Sequence, residues 1–170
     1  ATGRPSLGAL APAALVALGL WMHPVASEYV MGGKDPGTYM NEGIQIAQRG
    51  GLVIHDPTVA AVPSTTRDLF FPSHGSDAYF GVRFMGFFIR DPHAGTVVGQ
   101  FPHVFPASIA IVYGRHGLTG ARQAVTAWAV LGAIAVYFLG ARWLGRAPAA
   151  AAAAMLMLNV IHAWFARYPN

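Results

Sequence analysis

The sequence predicts a membrane protein of the all-α class. About three transmembrane helices are expected, with a long extracytoplasmic loop that carries short interfacial helices and a candidate β-hairpin. Three observations lead there. The 170 residues are 54% hydrophobic and only 11% charged, against roughly 25% charged in an ordinary soluble domain. All seven acids (Glu28, Asp35, Glu42, Asp56, Asp68, Asp77, Asp91) fall between residues 28 and 91, so the flanks contain no carboxylate. The flanks also hold the uninterrupted apolar runs.

The first run, 7–26 (LGALAPAALVALGLWMHPVA), is uncharged and close to the ~20 residues that cross a hydrocarbon core of ~30 Å. Arg4 precedes it, and Trp21 and His23 at its far end suit a headgroup interface. A cleaved signal peptide competes with this reading, but Pro24 sits poorly just inside a cut near Ala26. The second run, 121–144, and the third, 148–165, are separated only by Gly145, Arg146 and Ala147, which forces an antiparallel helical hairpin. Pro148 suits the first turn of the returning helix, where a missing N–H costs nothing.

The domain plan is therefore 1–26 for the cytoplasmic end and first span, 27–120 for the loop, 121–166 for the hairpin, and 167–170 for the start of another outer segment. Arg142 and Arg146 mark the hairpin turn as cytoplasmic under the positive-inside rule. Arg115, Arg122 and Arg167 balance them near the other face, and a loop beyond ~60 residues does not vote, so the loop is placed outside on a near tie. The expected location is a multi-pass plasma membrane protein. With no initiator Met and an end directly after an apolar segment, the chain reads as a piece of a longer protein, inactive when isolated.

Inside the loop, Asp35-Pro36 followed by GTYMNEGIQIAQRGG has the grammar of a helix over 36–49: Asp35 as cap, Pro36 in the first turn, Gly50-Gly51 as terminator. Tyr39, Met40, Gly43, Ile44 and Ala47 share one face, leaving Glu42, Gln45, Gln48 and Arg49 opposite. Residues 79–89, a turn over 90–95 with Asp91, Pro92 and Gly95, and residues 96–101 read as the β-hairpin. A second interfacial helix is expected over 106–113, closed by Gly114.

Several function classes drop out. The eleven Lys and Arg are scattered singly and form no phosphate-tracking stripe, so no nucleic-acid partner is expected despite a net charge of +4. Absence of cysteine excludes disulfides, thiolate catalysis and Cys-ligated zinc. Gly32-Gly33-Lys34 lacks the spacing of a phosphate loop. His55 with Asp56, His74 with Asp77, and Asp91 with His93 are metal-ligand types in no recognisable spacing, so no cofactor is assigned and a divalent metal is only weakly supported.

Asp35 stands out among the polar residues. It lies just beyond the first span on a glycine-flanked turn, where a carboxylate meets a lipid-borne reactant and can take a proton from an acceptor hydroxyl. Its bland role is that of a helix cap. Arg167 is a candidate for a lipid phosphate, because guanidinium forks onto phosphate oxygens, or else a span-end arginine reaching for water. Lys34 and Arg49 are weaker phosphate candidates, and His162 is an ionisable residue inside the third span.

The stretch Gly32-Gly33-Lys34-Asp35-Pro36-Gly37-Thr38-Tyr39, with 43–47 and Gly50-Gly51-Leu52, resembles the first extracytoplasmic loop of GT-C membrane glycosyltransferases. That group includes the dolichyl-phosphate-mannose protein mannosyltransferases and the bacterial aminoarabinose transferase. The stretch 99–110 (GQFPHVFPASIA) resembles the segment leading into that family's second span, and Arg167-Tyr168-Pro169 the motif ending its third. The resemblance covers nearly the whole chain in order. It implies a polyprenyl-phosphate-linked sugar donor, the lipid bilayer as partner, an unknown acceptor, and Asp35 as catalytic base.

Many members of the family have Glu directly after this Asp, whereas here Pro36 takes its place, so a two-carboxylate scheme would draw on Glu28 or Glu42. Tyr39 matches the aromatic that follows the acidic pair, or simply anchors an interfacial helix. The competing expectations are a non-catalytic polytopic module, such as a transporter or assembly subunit, and a secreted domain that buries 121–144 as a core helix.

Overall fold

The computed structural model describes residues 7–23, 35–72, 83–84 and 86–167. Glu28, Lys34, His74 and Asp77, and residues 79–82 of the expected hairpin, lie outside the described residues. The described chain is mostly helical, with one long apolar helix and a small sheet. In chain order the elements are α1 (Leu7–Met22), α2 (Asp35–Arg49), β1 (Val53–His55), α3 (Pro57–Ala60), α4 (Arg67–Phe70), β2 (Arg83–Phe84), β3 (Phe87–Asp91) and β4 (Thr96–Gly99). They are followed by α5 (Val104–Leu144), α6 (Arg146–Leu158) and α7 (Val160–Phe165). Contacts divide the chain into two units, Ala1–Glu28 with Arg122–Pro169, and Tyr29–Ala121.

In the helical unit, alanines share the interior with a few large side chains, and many large apolar side chains lie outside. Leu15, Tyr137, Ala149 and Ala153 form one buried cluster, and Val130, Ala133 and Met157 another. A Cβ on Gly19 would lie 2.9 Å from the Met157 methyl, and one on Gly140 would lie 3.2 Å from Ala149 Cβ, so the glycines and alanines permit close helix approach. The buried Thr126 hydroxyl donates to the Ala166 carbonyl at 2.9 Å, fastening α5 to the end of α7. Trp21, Trp143, Trp164, Phe138, Leu139 and Val160 are all exposed. Among the described residues, the half of α5 over 121–144 is therefore largely uncovered.

Two expectations about helix boundaries change. The short helix expected over 106–113 and the run over 121–144 lie within α5 as two successive helices, but the first runs on past Gly114. The interruption comes at Gly117, whose φ of 60° and ψ of −149° lie in a region glycine enters without a Cβ penalty. The third apolar run is not one helix over 148–165. Asn159 is extended (φ −65°, ψ 128°), and its side chain accepts from Ile161 N–H and His162 N–H, which ends α6 and caps α7. Asparagine competes for backbone donors in this way, and hydropathy alone does not register it.

The other unit contains an antiparallel sheet in the order β1-β4-β3-β2. β3 and β4 correspond to the expected hairpin. Asp91 shapes the turn by accepting from His93 N–H at 2.8 Å and Ala94 N–H at 3.1 Å, and Gly95 takes a φ of 64°. β1 was not expected, since three residues are too few to show an alternating pattern, whereas β2 lies within the strand expected over 79–89, whose described part is divided between β2 and β3. Ile54, Val59, Phe71 and Val97 form the sheet's buried cluster.

Candidate functional site

α2 positions the carboxylates. Its first turn starts at exposed Asp35, and Thr38, Met40, Glu42 and Gly43 are buried along its length. This corrects the expected faces, because Glu42 is 2% exposed while Ala47 faces solvent. Burial of Glu42 follows from what meets it. Its Oε1 is hydrogen-bonded to Nδ1 of His103, and the backbone of Gly99 presses so close that a Cβ there would overlap the carboxylate.

Glu42 Oε2 is buried without a hydrogen-bond partner. Burial pushes the Glu42 carboxyl above its ordinary range, and the hydrogen bond to half-buried His103 opposes this only in part. Burial also raises the Tyr39 phenol, reinforced by the negative charges of Asp35 and Glu42. Positions 35, 39 and 42 follow helical spacing, so two turns of α2, about 10 Å at 1.5 Å per residue, present both carboxylates and the phenol along one side.

The segment facing α2 is 99–109. The Tyr39 ring packs on Phe101 with centroids 4.9 Å apart and meets Phe105 edge-on at 5.5 Å. Gly43 lets α5 approach, since a Cβ there would sit 2.6 Å from Ile109 Cβ and 2.8 Å from the Pro106 carbonyl. Gln48 donates to the Tyr113 hydroxyl at 3.1 Å, extending the contact. The arrangement supplies an exposed carboxylate, a buried carboxyl hydrogen-bonded to a half-buried imidazole, and three aromatic rings packed beside them. His103, Phe101 and Phe105 were missed from sequence, although the Pro102-His103-Val104-Phe105-Pro106 run bracketed by prolines signals a constrained helix entry.

The remaining candidates lie elsewhere. Arg167, in the helical unit, donates from Nη2 to the Met22 carbonyl at 2.7 Å, and Glu28 and Lys34 fall among the residues not described. His55 bonds the Ala94 carbonyl at 2.7 Å, Asp56 caps α3, and His93 accepts from Arg67 at 2.8 Å. Those metal-type side chains shape turns, and no group of three metal-ligand residues occurs among the described residues. The chain matches no protein-family model, no curated protein and no solved structure.

Proposed function

We propose that this chain is part of a multi-pass membrane glycosyltransferase, moving a sugar from a polyprenyl-phosphate donor to an acceptor at the extracytoplasmic face, with Asp35 as the base. One observation carries the proposal. Loop segments quoted for the resemblance, 32–39 and 43–47 on one side and 99–110 on the other, pack on each other through Tyr39 and Gly43, with Glu42 between those two bonded to His103. The outward-facing apolar side chains of the helical unit support the bilayer as its solvent. In this reading Asp35, which is exposed, takes the proton of the acceptor hydroxyl as its oxygen bonds the anomeric carbon, and the bond from that carbon to the donor phosphate breaks, so the polyprenyl phosphate leaves as an anion needing no acid. A base of this kind contributes about 10²- to 10⁴-fold in rate.

A second reading, a non-catalytic polytopic module, is favoured by exposed Leu69 and Phe70 on α4, an apolar patch fit for a protein partner. The two separate in membranes containing the protein expressed from its complete reading frame and loaded with tritiated mannose, glucose or galactose on polyprenyl phosphate. Asp35→Asn, at matched expression, is expected to lose at least about 100-fold of sugar transfer. Transfer by Asp35→Asn equal to wild type reduces Asp35 to a helix-end residue, and no transfer by either protein favours the module.

A further inference from the structure

At one end of the helical unit, polar side chains gather without satisfying one another. His23 follows α1, is 3% exposed, and neither of its ring nitrogens has a hydrogen-bond partner. Its ring meets that of His162 at 6.5 Å between centroids and 70° between planes, and His162 Nε2 is likewise buried and unpartnered. Arg167 reaches the same place, its guanidinium donating to the carbonyl of Met22, next to His23 in the chain. The break at Asn159 sets this geometry, since its cap holds the His162 backbone in the first turn of α7.

Buried polar rings without partners are costly, and native proteins rarely leave them so. Each neutral imidazole offers one N–H, and a guanidinium offers several in a fixed fork. The ring centroids lie 6.5 Å apart and the unpartnered nitrogens are enclosed, so a small group that hydrogen-bonds to both rings enters by displacing part of the packing around them. The adjacent guanidinium sets the sign, repelling a metal cation and attracting an oxyanion. Exposed Trp21 and Trp164 flank the cluster in sequence, and tryptophans in a bilayer settle at headgroup depth, where lipid phosphates lie. We infer that His23, His162 and Arg167 form a binding site for a phosphate group at the membrane surface.

This inference rests on the membrane part of the proposed function and is independent of Asp35. The test uses the full-length protein, ¹⁵N-labelled at histidine, in phosphatidylcholine nanodiscs, with ring signals assigned through His23→Gln and His162→Gln. Three probes are titrated separately: undecaprenyl phosphate, phosphatidylglycerol and inorganic phosphate. Saturable movement of both ring signals by any of them is expected, and the effective probe identifies the source as a lipid phosphomonoester, a phospholipid headgroup or a soluble ion.

His23→Gln and Arg167→Gln should each weaken that binding by about tenfold or more, the loss of one hydrogen bond to a charged group. Unmoved signals with all three probes overturn the site. So does unchanged affinity in both variants, which would leave the histidines a packing role. Release of the wild-type protein from membranes by carbonate would instead overturn the membrane reading beneath it.

Discussion

The two units distribute their side chains in opposite ways. The helical unit encloses Ala133, Ala149 and Ala153 and turns Trp21, Trp143 and Trp164 outward. The sheet-bearing unit encloses Ile54, Val59 and Val97 with a carboxyl, Glu42, and spreads most of its charges over the outside. In water the second pattern is ordinary and the first is not. Lipid removes the incentive to bury large apolar groups, so helices associate through the small residues that bring their backbones together. Under the membrane reading proposed above, the contrast teaches that the two units meet different solvents.

The largest effect expected from that contrast comes from filling the helical seam. Ala153→Phe should cost about 3 kcal/mol or more, because a fully enclosed methyl has nowhere to grow. Reversible unfolding in mixed micelles would measure it. A cost below 1 kcal/mol would mean that the seam is not the packing surface. In the sheet-bearing unit, Gly99→Ala drives a methyl onto the Glu42 carboxylate and should cost about 1–3 kcal/mol. Combining it with Glu42→Gly should recover part of that loss, and a strictly additive double variant would contradict the contact.

Proton linkage supplies a smaller test. The folded state holds the Glu42 proton more tightly than the unfolded chain does. The stability this contributes is complete below the ordinary value of 4.5 and is lost as pH rises through the higher folded value. Asp91 runs the other way. Backbone N–H groups of Ala94 and His93 hold its carboxyl below 3.8, so its contribution is present above 3.8 and is lost as pH falls through the folded value. Thermal unfolding of the sheet-bearing unit should therefore decline above pH 4.5 in wild type and flatten in Glu42→Gln. An unchanged slope in that variant would remove Glu42 from the account.

The smallest effect belongs to the outward tryptophans. Trp143→Leu should shift stability in micelles by less than about 0.5 kcal/mol, whereas a large loss would place Trp143 in a packed contact.

The legible and illegible parts of the fold divide along the same physical line. Uninterrupted apolar runs announce helices, and α2 is announced at both ends, by Asp35-Pro36 and by Gly50 with its φ of 69°. The hairpin is announced by Asp91 and Gly95. β1 is too short to show a period. The break at Asn159 depends on one side chain's hydrogen bonds inside an apolar run. At the candidate site, Asp35 and Tyr39 could be picked out from their turn. Enclosure of Glu42 could not, because it depends on His103 and Gly99, far away in the chain, and a glutamate at helical spacing normally reads as solvent-facing. The pairing of His23 with His162 is likewise a product of the fold.

The chain has no cysteine, so single cysteines can report solvent directly. A membrane-impermeant maleimide applied to intact cells should label Asp35→Cys and Leu69→Cys rapidly, while Leu131→Cys and Leu139→Cys stay unlabelled until the bilayer is dissolved and the chain denatured. Labelling of Leu139→Cys as fast as Asp35→Cys would mean that the apolar face of α5 meets water, contradicting the claim that the helical unit is solvated by lipid.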